Sequence, residues 1–351
     1  MDRPRLLTPA GNGPIHSDGT SQSAGMSRRS LFGLGAAAAA SLVVPGCSRG
    51  RSDEPAPAGP AVLATGNAGG VYNVFGAGLA KLVSEVTGME LRVTATSGSV
   101  DNLQQVAGMK VDMGFTTSDA ALSAYEGTGQ FDSGSLKFTA LARTYDNYLH
   151  VVVPTASNVV ELKHLEGLTV NVGQENSGTR VVADLVLETA RLRRVKTTNY
   201  PLAKAVEQLK LKADNLGKGP GIDALIWSGG LPTGPIGELQ KSVGFRLVDI
   251  GTVAEEISLK KFGGYIVSSI PPSVYGLATA VPTLAIPNYL IARPNLSDSW
   301  AWWTVNTMFR RQNDLMAAHE EAGSLDPRSA IATMPIPLHP AAERWFRTNH
   351  I

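Results

Sequence analysis

Residues 61 to 72 read Ala-Val-Leu-Ala-Thr-Gly-Asn-Ala-Gly-Gly-Val-Tyr, and this stretch decides the fold. Its first residues are small and apolar, which is typical of a short buried strand, and a glycine-rich turn follows at 66–70. From Val71 to about Val86, apolar residues recur at the spacing of an amphipathic helix. Because a strand, a glycine turn and a helix form the first unit of a layered α/β domain, the stretch predicts an α/β fold that starts near Ala61.

The alternation continues in two series of elements, which predict two lobes. The first lobe is expected to contain residues 61–147 and 286–351, and the second residues 148–285. In the first lobe we predict strands at Leu91 to Ala95, Met113 to Phe115 and Ala285 to Ala292, and helices at Val100 to Ala107, from Ser118 onward, at Trp300 to Ala318 and at Pro340 to Arg347. In the second, after the apolar run Leu149 to Val153, we predict strands at Thr169 to Val172, Ala224 to Trp227 and Arg246 to Asp249, and helices at Arg180 to Ala190 and Ala203 to Lys210.

The composition agrees with two lobes and narrows the class of partner. A chain of 351 residues matches two α/β lobes of ~100 to 200 residues each. Lysine and arginine number 31 against 30 acidic residues, so there is no large basic surface for nucleic acid. We therefore expect a monomer whose partner is a small molecule or another protein.

The N-terminal region has the pattern of an export signal. Two arginines in Met26-Ser-Arg-Arg-Ser-Leu-Phe precede an apolar run of 14 residues, Leu31 to Val44. Because this run is shorter than the ~18 to 20 residues that span a bilayer, we expect it to be removed. The paired arginines resemble a twin-arginine signal, and an ordinary secretory leader is the alternative. Residues 1–25 either extend this leader or precede the true start at Met26.

The sequence Val44-Pro45-Gly46-Cys47 ends this leader and resembles a lipobox. Cys47, the single cysteine, excludes an internal disulfide and is expected to carry lipid, which would hold the protein at the outer face of the cytoplasmic membrane. Residues 1–47 thus form the predicted leader. Residues 48–60 contain few apolar side chains, so we predict a mobile tether there.

Three loops of the first lobe share one chemistry. They are Thr65 to Tyr72, Thr96 to Asn102 and Thr116 to Asp119, and each lies between a predicted strand and a predicted helix. At the carboxyl edge of a parallel sheet such loops converge, and the helix N-termini offer unpaired N–H groups and partial positive charge to an anion. The alternative is that each Ser, Thr or Asp only caps its own helix, and Asp119 in particular is open to that interpretation.

The second lobe carries two comparable loops, Gly173 to Arg180 and Trp227 to Leu239, which would face the first lobe across a cleft. Arg180 can bind a carboxylate with two parallel hydrogen bonds, or it can pair with Asp184 four residues later on the same helix face. Trp227, at the end of a strand, can contact a ligand or fill the core.

These loops together resemble the TAXI family, the solute receptors of tripartite ATP-independent periplasmic (TRAP) transporters, over about residues 61 to 347. The resemblance rests on Thr65 to Tyr72, Gly98 to Asn102, Thr117 to Asp119, Ser177 to Arg180, Gly230 to Leu239 and Val281 to Leu290. Asn67 and Thr117 depart from the family's usual residues, which affects the identity of the ligand more than the fold.

The resemblance implies an α/β, two-lobed periplasmic-binding-protein fold of type II, a Venus flytrap with its ligand cleft between the lobes. It implies an exported receptor that closes on glutamate, glutamine or a related dicarboxylate and passes it to TRAP membrane subunits. The residues expected to bind the ligand are Gly66, Asn67, Gly69, Gly70, Tyr72, Ser97, Ser99, Asn102, Thr117, Ser118, Asp119, Ser177, Gly178, Thr179, Arg180, Trp227, Gly230 and Pro232.

Two other classes of protein are weighed against this interpretation. An enzyme is disfavoured because the sequence lacks a Gly-x-Ser-x-Gly elbow, a His-Glu-x-x-His pair and a Gly-x-Gly-x-x-Gly fingerprint. We predict no cofactor and no metal, since the histidines form no ligand-spaced pair. A receptor for an ATP-driven importer or a sensor kinase shares the fold and differs only in its docking partner.

Overall fold

The computed structural model describes residues 54–215, 219–260 and 264–349. The predicted signal peptide, the lipidation site Cys47 and the first part of the predicted tether lie outside these residues. The described strands are β1 Ala61–Ala64, β2 Leu91–Thr94, β3 Met113–Thr117, β4 Thr139–Pro154, β5 Thr169–Asn171, β6 Lys196–Thr198, β7 Ala224–Gly229, β8 Phe245–Leu247, β9 Ile266–Ile270 and β10 Val281–Ala292.

Helices cover both faces of the strands. The described α-helices are α1 Val71–Thr87, α2 Ser99–Ala107, α3 Ser118–Glu126, α4 Gly178–Thr189, α5 Leu202–Asp214, α6 Gly234–Ser242, α7 Gly251–Lys260, α8 Pro272–Tyr275, α9 Asp298–Arg310, α10 Gln312–Met316, α11 Pro327–Ala330 and α12 Pro340–Thr348. Short 3-10 helices lie at Gly129–Phe131, Leu162–Leu165 and Glu320–Ser324. None of the helices in the described part of the chain has the length and hydropathy needed to cross a membrane.

The strands form one mixed sheet in the order β2-β1-β3-β10-β4-β7-β5-β6, with β8 added beside β4 and β9 beside β10. The pairs β1–β2, β1–β3, β5–β6 and β5–β7 are parallel, whereas β4 and β10 run antiparallel to their neighbours. Tyr148 of β4 lies opposite Ala285 of β10 at the point where both long strands pass from one half of the sheet to the other. These two strands are therefore the covalent link between the halves.

Each half of the sheet has its own hydrophobic cores. Leu141 of β4 and Leu290 of β10 pack with α1 and α9, in the half that we call lobe 1. Leu149 and Ile286, further along the same two strands, pack with α4 and α7, in the half that we call lobe 2. A second core covers the other sheet face in each lobe. The helices α9 to α12 follow β10 and complete lobe 1.

Local sequence explains where the helices next to the cleft begin and end. α1 starts after Gly70 and ends at Gly88, whose φ of 69° lets its N–H donate to Ser84 O. Glycine takes this left-handed conformation without the steric cost that a Cβ imposes. α4 begins at Ser177, whose hydroxyl accepts from Arg180 N–H. The glycine and serine loops thus determine where these helices begin, and therefore which backbone N–H groups lie at the cleft.

Several elements differ from the sequence-based prediction. β4 begins at Thr139, ten residues before the apolar run Leu149 to Val153. The sequence pattern does not predict β6, α6, α7 or β9. The first ten residues of β4 include buried polar ones, such as Thr144 and Asn147, so this part of the strand shows no continuous apolar run. The single helix predicted from Trp300 is two helices, α9 and α10, with a break at Arg311.

The mobile tether predicted for residues 48–60 needs a correction over residues 54–60, which pack on lobe 1. The Glu54 carboxylate lies 3.0 Å from the Arg344 guanidinium, and the Pro55 carbonyl accepts a hydrogen bond of 3.0 Å from Trp303 Nε1. Pro57 is buried. Composition alone did not reveal this packing, because the contacts come from α9 and α12, more than 200 residues away.

Candidate functional site

A cavity lies between the lobes, at the carboxyl ends of β1, β2, β3, β5 and β7. Loops that follow parallel strands converge at this edge, which is the usual place for a ligand in such a sheet. Its lining consists of short polar residues, glycines and two aromatic rings: Gly66, Asn67, Gly70, Val71, Tyr72, Ser97, Gly98, Ser99, Thr117, Asn147, Ser177, Gly178, Thr179, Trp227, Ser228 and Gly229. The space that water could occupy is about 40 Å³, so the two lobes are closed on each other.

Three helices direct their N-termini at this cavity. The N-cap residues of α1, α2 and α4 are Gly70, Gly98 and Ser177, and all three line it. No side chain caps α1 or α2. The first N–H groups of a helix have no partner within the helix and carry partial positive charge. The helix N-termini thus present partial positive charge to the cavity, and none of its described lining residues carries a formal charge.

Two hydroxyl groups in the cavity lining have no hydrogen-bond partner among the described residues. Thr117 Oγ1 belongs to lobe 1 and Ser228 Oγ to lobe 2, and their residues are 2% and 7% exposed. The Asp119 carboxylate lies near Thr117 Oγ1, but the pair does not reach hydrogen-bond geometry. Because buried polar groups are normally paired, these two hydroxyls are available to a ligand.

Two aromatic residues form walls of the cavity. The Tyr72 ring stacks on Phe115 at 5.3 Å, and its hydroxyl donates to Asn288 Oδ1. Desolvation of this hydroxyl raises the pKa of Tyr72, so the group stays neutral at physiological pH. On the other lobe, Trp227 Nε1 donates to Thr233 Oγ1 at 3.2 Å. Each polar group of these two rings is therefore occupied, and the rings offer the ligand mainly apolar contact.

Many of the predicted ligand residues line the cavity. They are Gly66, Asn67, Gly70, Tyr72, Ser97, Ser99, Thr117, Ser177, Gly178, Thr179 and Trp227. Five lining residues are not among the predicted ligand residues, namely Val71, Gly98, Asn147, Ser228 and Gly229, although the predicted cleft loops contain all of them except Asn147. Four of these five adjoin predicted residues. Asn147 lies within β4 beside other polar residues, Arg143, Thr144 and Asp146, so no local sequence signal distinguishes it.

Three predicted residues of lobe 1 have structural partners instead. Asn102 Nδ2 donates to Thr65 O at 2.6 Å and to Phe115 O at 2.7 Å, which ties the ends of β1 and β3 together. Gly69 has a φ of 75°, as the turn before α1 requires. Ser118 Oγ donates to Gly264 O in lobe 2 at 3.3 Å. These residues shape the cavity without lining it.

Asp119 is also placed outside the cavity lining. Its carboxylate accepts from Ala120 N–H and from the Tyr265 hydroxyl, each at 2.8 Å. Burial raises the pKa of Asp119. The first turn of α3 therefore donates a backbone N–H to this carboxylate, whereas α1, α2 and α4 direct their first N–H groups at the cavity.

The expectation that Arg180 grips a carboxylate is not met by the geometry. Arg180 Nε lies 2.6 Å from Asp184 Oδ2, and Nη1 donates to Asn199 Oδ1 at 3.0 Å. Arg180 is not among the residues that line the cavity. Arg180 and Asp184 are four residues apart and therefore lie on the same face of α4. This ion pair is the alternative interpretation that the sequence left open.

Gly230 and Pro232, also predicted to contact the ligand, lie behind the cavity wall. A Cβ on Gly230 would come within 3.0 Å of Glu321 Oε1 and of the Tyr145 ring, so this position has no room for a side chain. The Pro232 carbonyl lies 3.2 Å from His319 Nε2, and the Leu231–Pro232 peptide is cis. Both residues support the loop rather than the ligand.

Direct contacts hold the two lobes together around the cavity. Asp101 N–H of lobe 1 donates to Asn176 O of lobe 2 at 3.0 Å. Asn67 Oδ1 accepts from Leu202 N–H at 2.8 Å, so a lobe 1 side chain caps helix α5 of lobe 2. Within the described residues no group of three His, Cys, Asp or Glu side chains is arranged to hold a metal ion.

This chain is similar to solved structures that contain bound small molecules. MatC from Rhodopseudomonas palustris, solved with bound malate, is 13% identical, with a TM-score of 0.56 over 83% of this chain and 99% of that chain. The alkanesulfonate-binding protein SsuA from Xanthomonas axonopodis pv. citri, bound to MOPS, is 14% identical, with a TM-score of 0.44 over 84% of this chain and 85% of that chain. The predicted α/β periplasmic-binding-protein fold, with two lobes and a cleft, is confirmed.

A family model spans nearly all of the described chain. It matches residues 63–349, from β1 through α12. This range contains both lobes and every residue that lines the cavity. The chain belongs to the NMT1-like family.

Proposed function

We propose that this protein is an extracytoplasmic receptor that closes its two lobes around a small organic anion or amino acid and delivers it to a membrane transporter. The observation that carries this proposal is the convergence of three helix N-termini on a cavity with two unpartnered hydroxyls, one from each lobe. An anion would satisfy all of these groups at once. MatC, whose structure contains malate, supports a carboxylate ligand.

The cavity would recognise an anion without a cationic side chain. A hydrogen bond to a charged group contributes about 1.5 to 3 kcal/mol, and helix N-termini are established anion sites. The N–H groups near Gly70, Ser99 and Gly178 would hold the anionic group, and Thr117 and Ser228 would complete its shell. Tyr72 and Trp227 would pack on the apolar part. The receptor itself would catalyse no reaction.

Delivery to TRAP membrane subunits and lipid anchoring at Cys47 belong to the same proposal. The motifs at 65–72 and 98–102 support the TRAP assignment, and the lipobox-like residues 44–47 support the anchor. If Cys47 carries lipid, Cys47→Ser should move the protein from the membrane fraction to the soluble fraction. An ATP-driven importer or a sensor kinase is the competing partner, and transport assays with co-expressed TRAP subunits would distinguish them.

The ligand class is tested by thermal shift on the chain from residue 48 onward. L-malate, succinate, L-glutamate and L-glutamine would be compared with the uncharged diamide of succinate. A ligand that binds only the native state raises the melting temperature. We expect at least one carboxylate to do so and the diamide not to. Stabilisation by a neutral sugar, with no response to any carboxylate, would contradict the anion site.

A further inference from the structure

Glu321 connects the two lobes directly behind the cavity. It belongs to the 3-10 helix Glu320–Ser324, which packs on lobe 1 through Ala322. Its Oε1 accepts from Leu231 N–H in the loop between β7 and α6 of lobe 2, and Oε2 accepts from Ser324 Oγ at 3.1 Å. The residue is only 9% exposed. A carboxyl group of one lobe is therefore buried against backbone of the other.

The loop that Glu321 holds, Gly230 to Thr233, lies directly behind the cavity wall and supports it. Within this loop, Thr233 Oγ1 donates to Gly230 O at 2.9 Å and accepts from Trp227 Nε1 at 3.2 Å. Gly229, at the end of β7, and Trp227 both line the cavity. A shift of the Glu321 carboxyl would therefore move this short loop and, with it, the Trp227 ring that lines the cavity.

No cation balances this carboxyl among the described residues. The groups that face it are Asp146, Tyr145 and Tyr148 on β4, Tyr275 on α8, and Glu320 and His319 on its own segment. Burial lowers the pKa of His319, whose Nδ1 accepts from Glu321 N–H, so its ring stays neutral. Arg143 is occupied by Asp146 at 2.9 Å. The negative form of Glu321 is disfavoured in this surrounding.

We propose that Glu321 positions the cavity wall and takes up a proton when the lobes close, so that closure is favoured at low pH. Opening moves Leu231 away from Glu321 and returns the carboxyl to water, where it ionises readily. Closure buries it without a counter-charge. This inference rests on the proposed function only in that ligand binding would use the same closure.

The pH range follows from the burial of this group. Burial raises the pKa of Glu321 to about 7 from its ordinary 4.5. Between these values the closed form binds more protons than the open form, so closure weakens as pH rises and levels off above about 7. Any solute that binds only the closed form should lose up to about tenfold in affinity for each pH unit in this range.

The test measures lobe closure itself and needs no ligand. Small-angle scattering of the ligand-free protein between pH 4.5 and 8.5 should show a smaller radius of gyration at low pH. Glu321→Gln keeps a carbonyl oxygen for Leu231 N–H and cannot ionise, so it should stay compact throughout. Glu320→Gln, on the exposed neighbouring residue, should keep the pH response of the parent.

Three results would overturn the proposal: a parent whose radius does not change with pH, a Glu321→Gln variant that keeps the response, or a Glu320→Gln variant that loses it. If Glu321→Gln does not fold, carbon-13 NMR of the parent with labelled glutamate carboxyls decides instead. A glutamate carboxyl that titrates near pH 7 supports the proposal, and none above pH 6 refutes it. A failed ligand screen would leave these readouts unaffected.

Discussion

At the scale of single residues, the cavity depends on small polar side chains whose partners are visible only in the fold. Ser177 caps its own helix, as the sequence alternative proposed, and still lines the cavity. Thr117, at the N-cap of α3, and Ser228, near the end of β7, instead leave their hydroxyls without a partner among the described residues. Capping and ligand binding are therefore not exclusive, and residue type alone does not separate them.

Thr117→Val should weaken binding of an anionic ligand by about tenfold or more, because the hydroxyl that the valine lacks would donate to a charged group. The melting temperature of the ligand-free protein should not fall, since Thr117 Oγ1 has no hydrogen-bond partner to lose in the described part of the chain. Calorimetry with the best carboxylate from the screen measures the effect. Thr307→Val in α9 is the matched control, because Thr307 Oγ1 is equally buried and unpartnered but lies outside the cavity. Equal affinities for both variants would remove Thr117 from the site.

Arg180→Ala and Arg180→Lys should each bind the same ligand within about twofold of the parent. The guanidinium pairs with Asp184 and Asn199, and a partly exposed ion pair of this kind contributes at most about 1 kcal/mol to stability. The same calorimetric titration checks this. A tenfold loss in both variants would show that Arg180 leaves Asp184 to reach the ligand.

At the scale of elements, a buried histidine joins β4, β7 and α8. His150 Nε2 lies 2.9 Å from the Tyr275 hydroxyl, and Nδ1 lies 2.9 Å from Tyr148 O and 3.3 Å from Trp227 O. Thr233 N–H donates to the same Tyr275 oxygen at 2.8 Å. A neutral ring with its proton on Nδ1 satisfies every member of this chain. His150 lies two residues after Tyr148, beside the crossing of β4 and β10.

Stability should fall in acid because of this histidine. Burial lowers the pKa of His150 to about 4. The unfolded chain binds the proton at the ordinary pKa of 6.5 and the folded chain does not, so stability is lost as pH falls from about 6.5 toward 4. Urea unfolding of the parent and of His150→Gln at pH 7.5 and pH 5 measures this. The parent should lose more stability than the variant between the two pH values, and an equal loss would exclude His150 as the cause.

At the scale of the whole molecule, the two lobes lie so close together that the closed form leaves no room for a side chain at one glycine between them. A Cβ on Gly178 of lobe 2 would lie 2.6 Å from Ser99 Oγ and 3.1 Å from Thr117 Oγ1 of lobe 1. Gly178 does not have a positive φ, so alanine fits the backbone. The steric demand therefore comes from the opposite lobe and exists only in the closed form.

Gly178→Ala should keep the stability of the ligand-free protein and weaken carboxylate binding by about tenfold or more. Alanine also favours helix formation over glycine, so no loss of folding is expected. Gly237→Ala in α6 is the matched control, because its Cβ would meet nothing within 4 Å. Scattering with saturating ligand should show compaction for the control and less for Gly178→Ala. Full compaction and parent-like affinity in both variants would contradict a closed form as tight as this one.

Although it missed β6, α6, α7 and β9, local sequence was enough to predict the loops at the cleft and most of the strands and helices that flank them. The reason is that a glycine or serine loop between an apolar run and an amphipathic helix specifies its own strand end and helix start. The residues that line the cavity and were predicted lie in these loops. The loops at 65–72, 96–102 and 173–180 needed no information from distant parts of the chain.

Tertiary structure alone decided the features that depend on distant partners. Asn147 reaches the cavity because β4 crosses between the lobes, and Arg180 is held away from it by Asp184 and Asn199. Glu54 docks on Arg344, and Glu321 is buried against Leu231, although the three charged residues are of types that usually lie at the surface. Burial and pairing depend on which surfaces come into contact once β4 and β10 join the two halves of the sheet. A local sequence pattern does not specify these contacts.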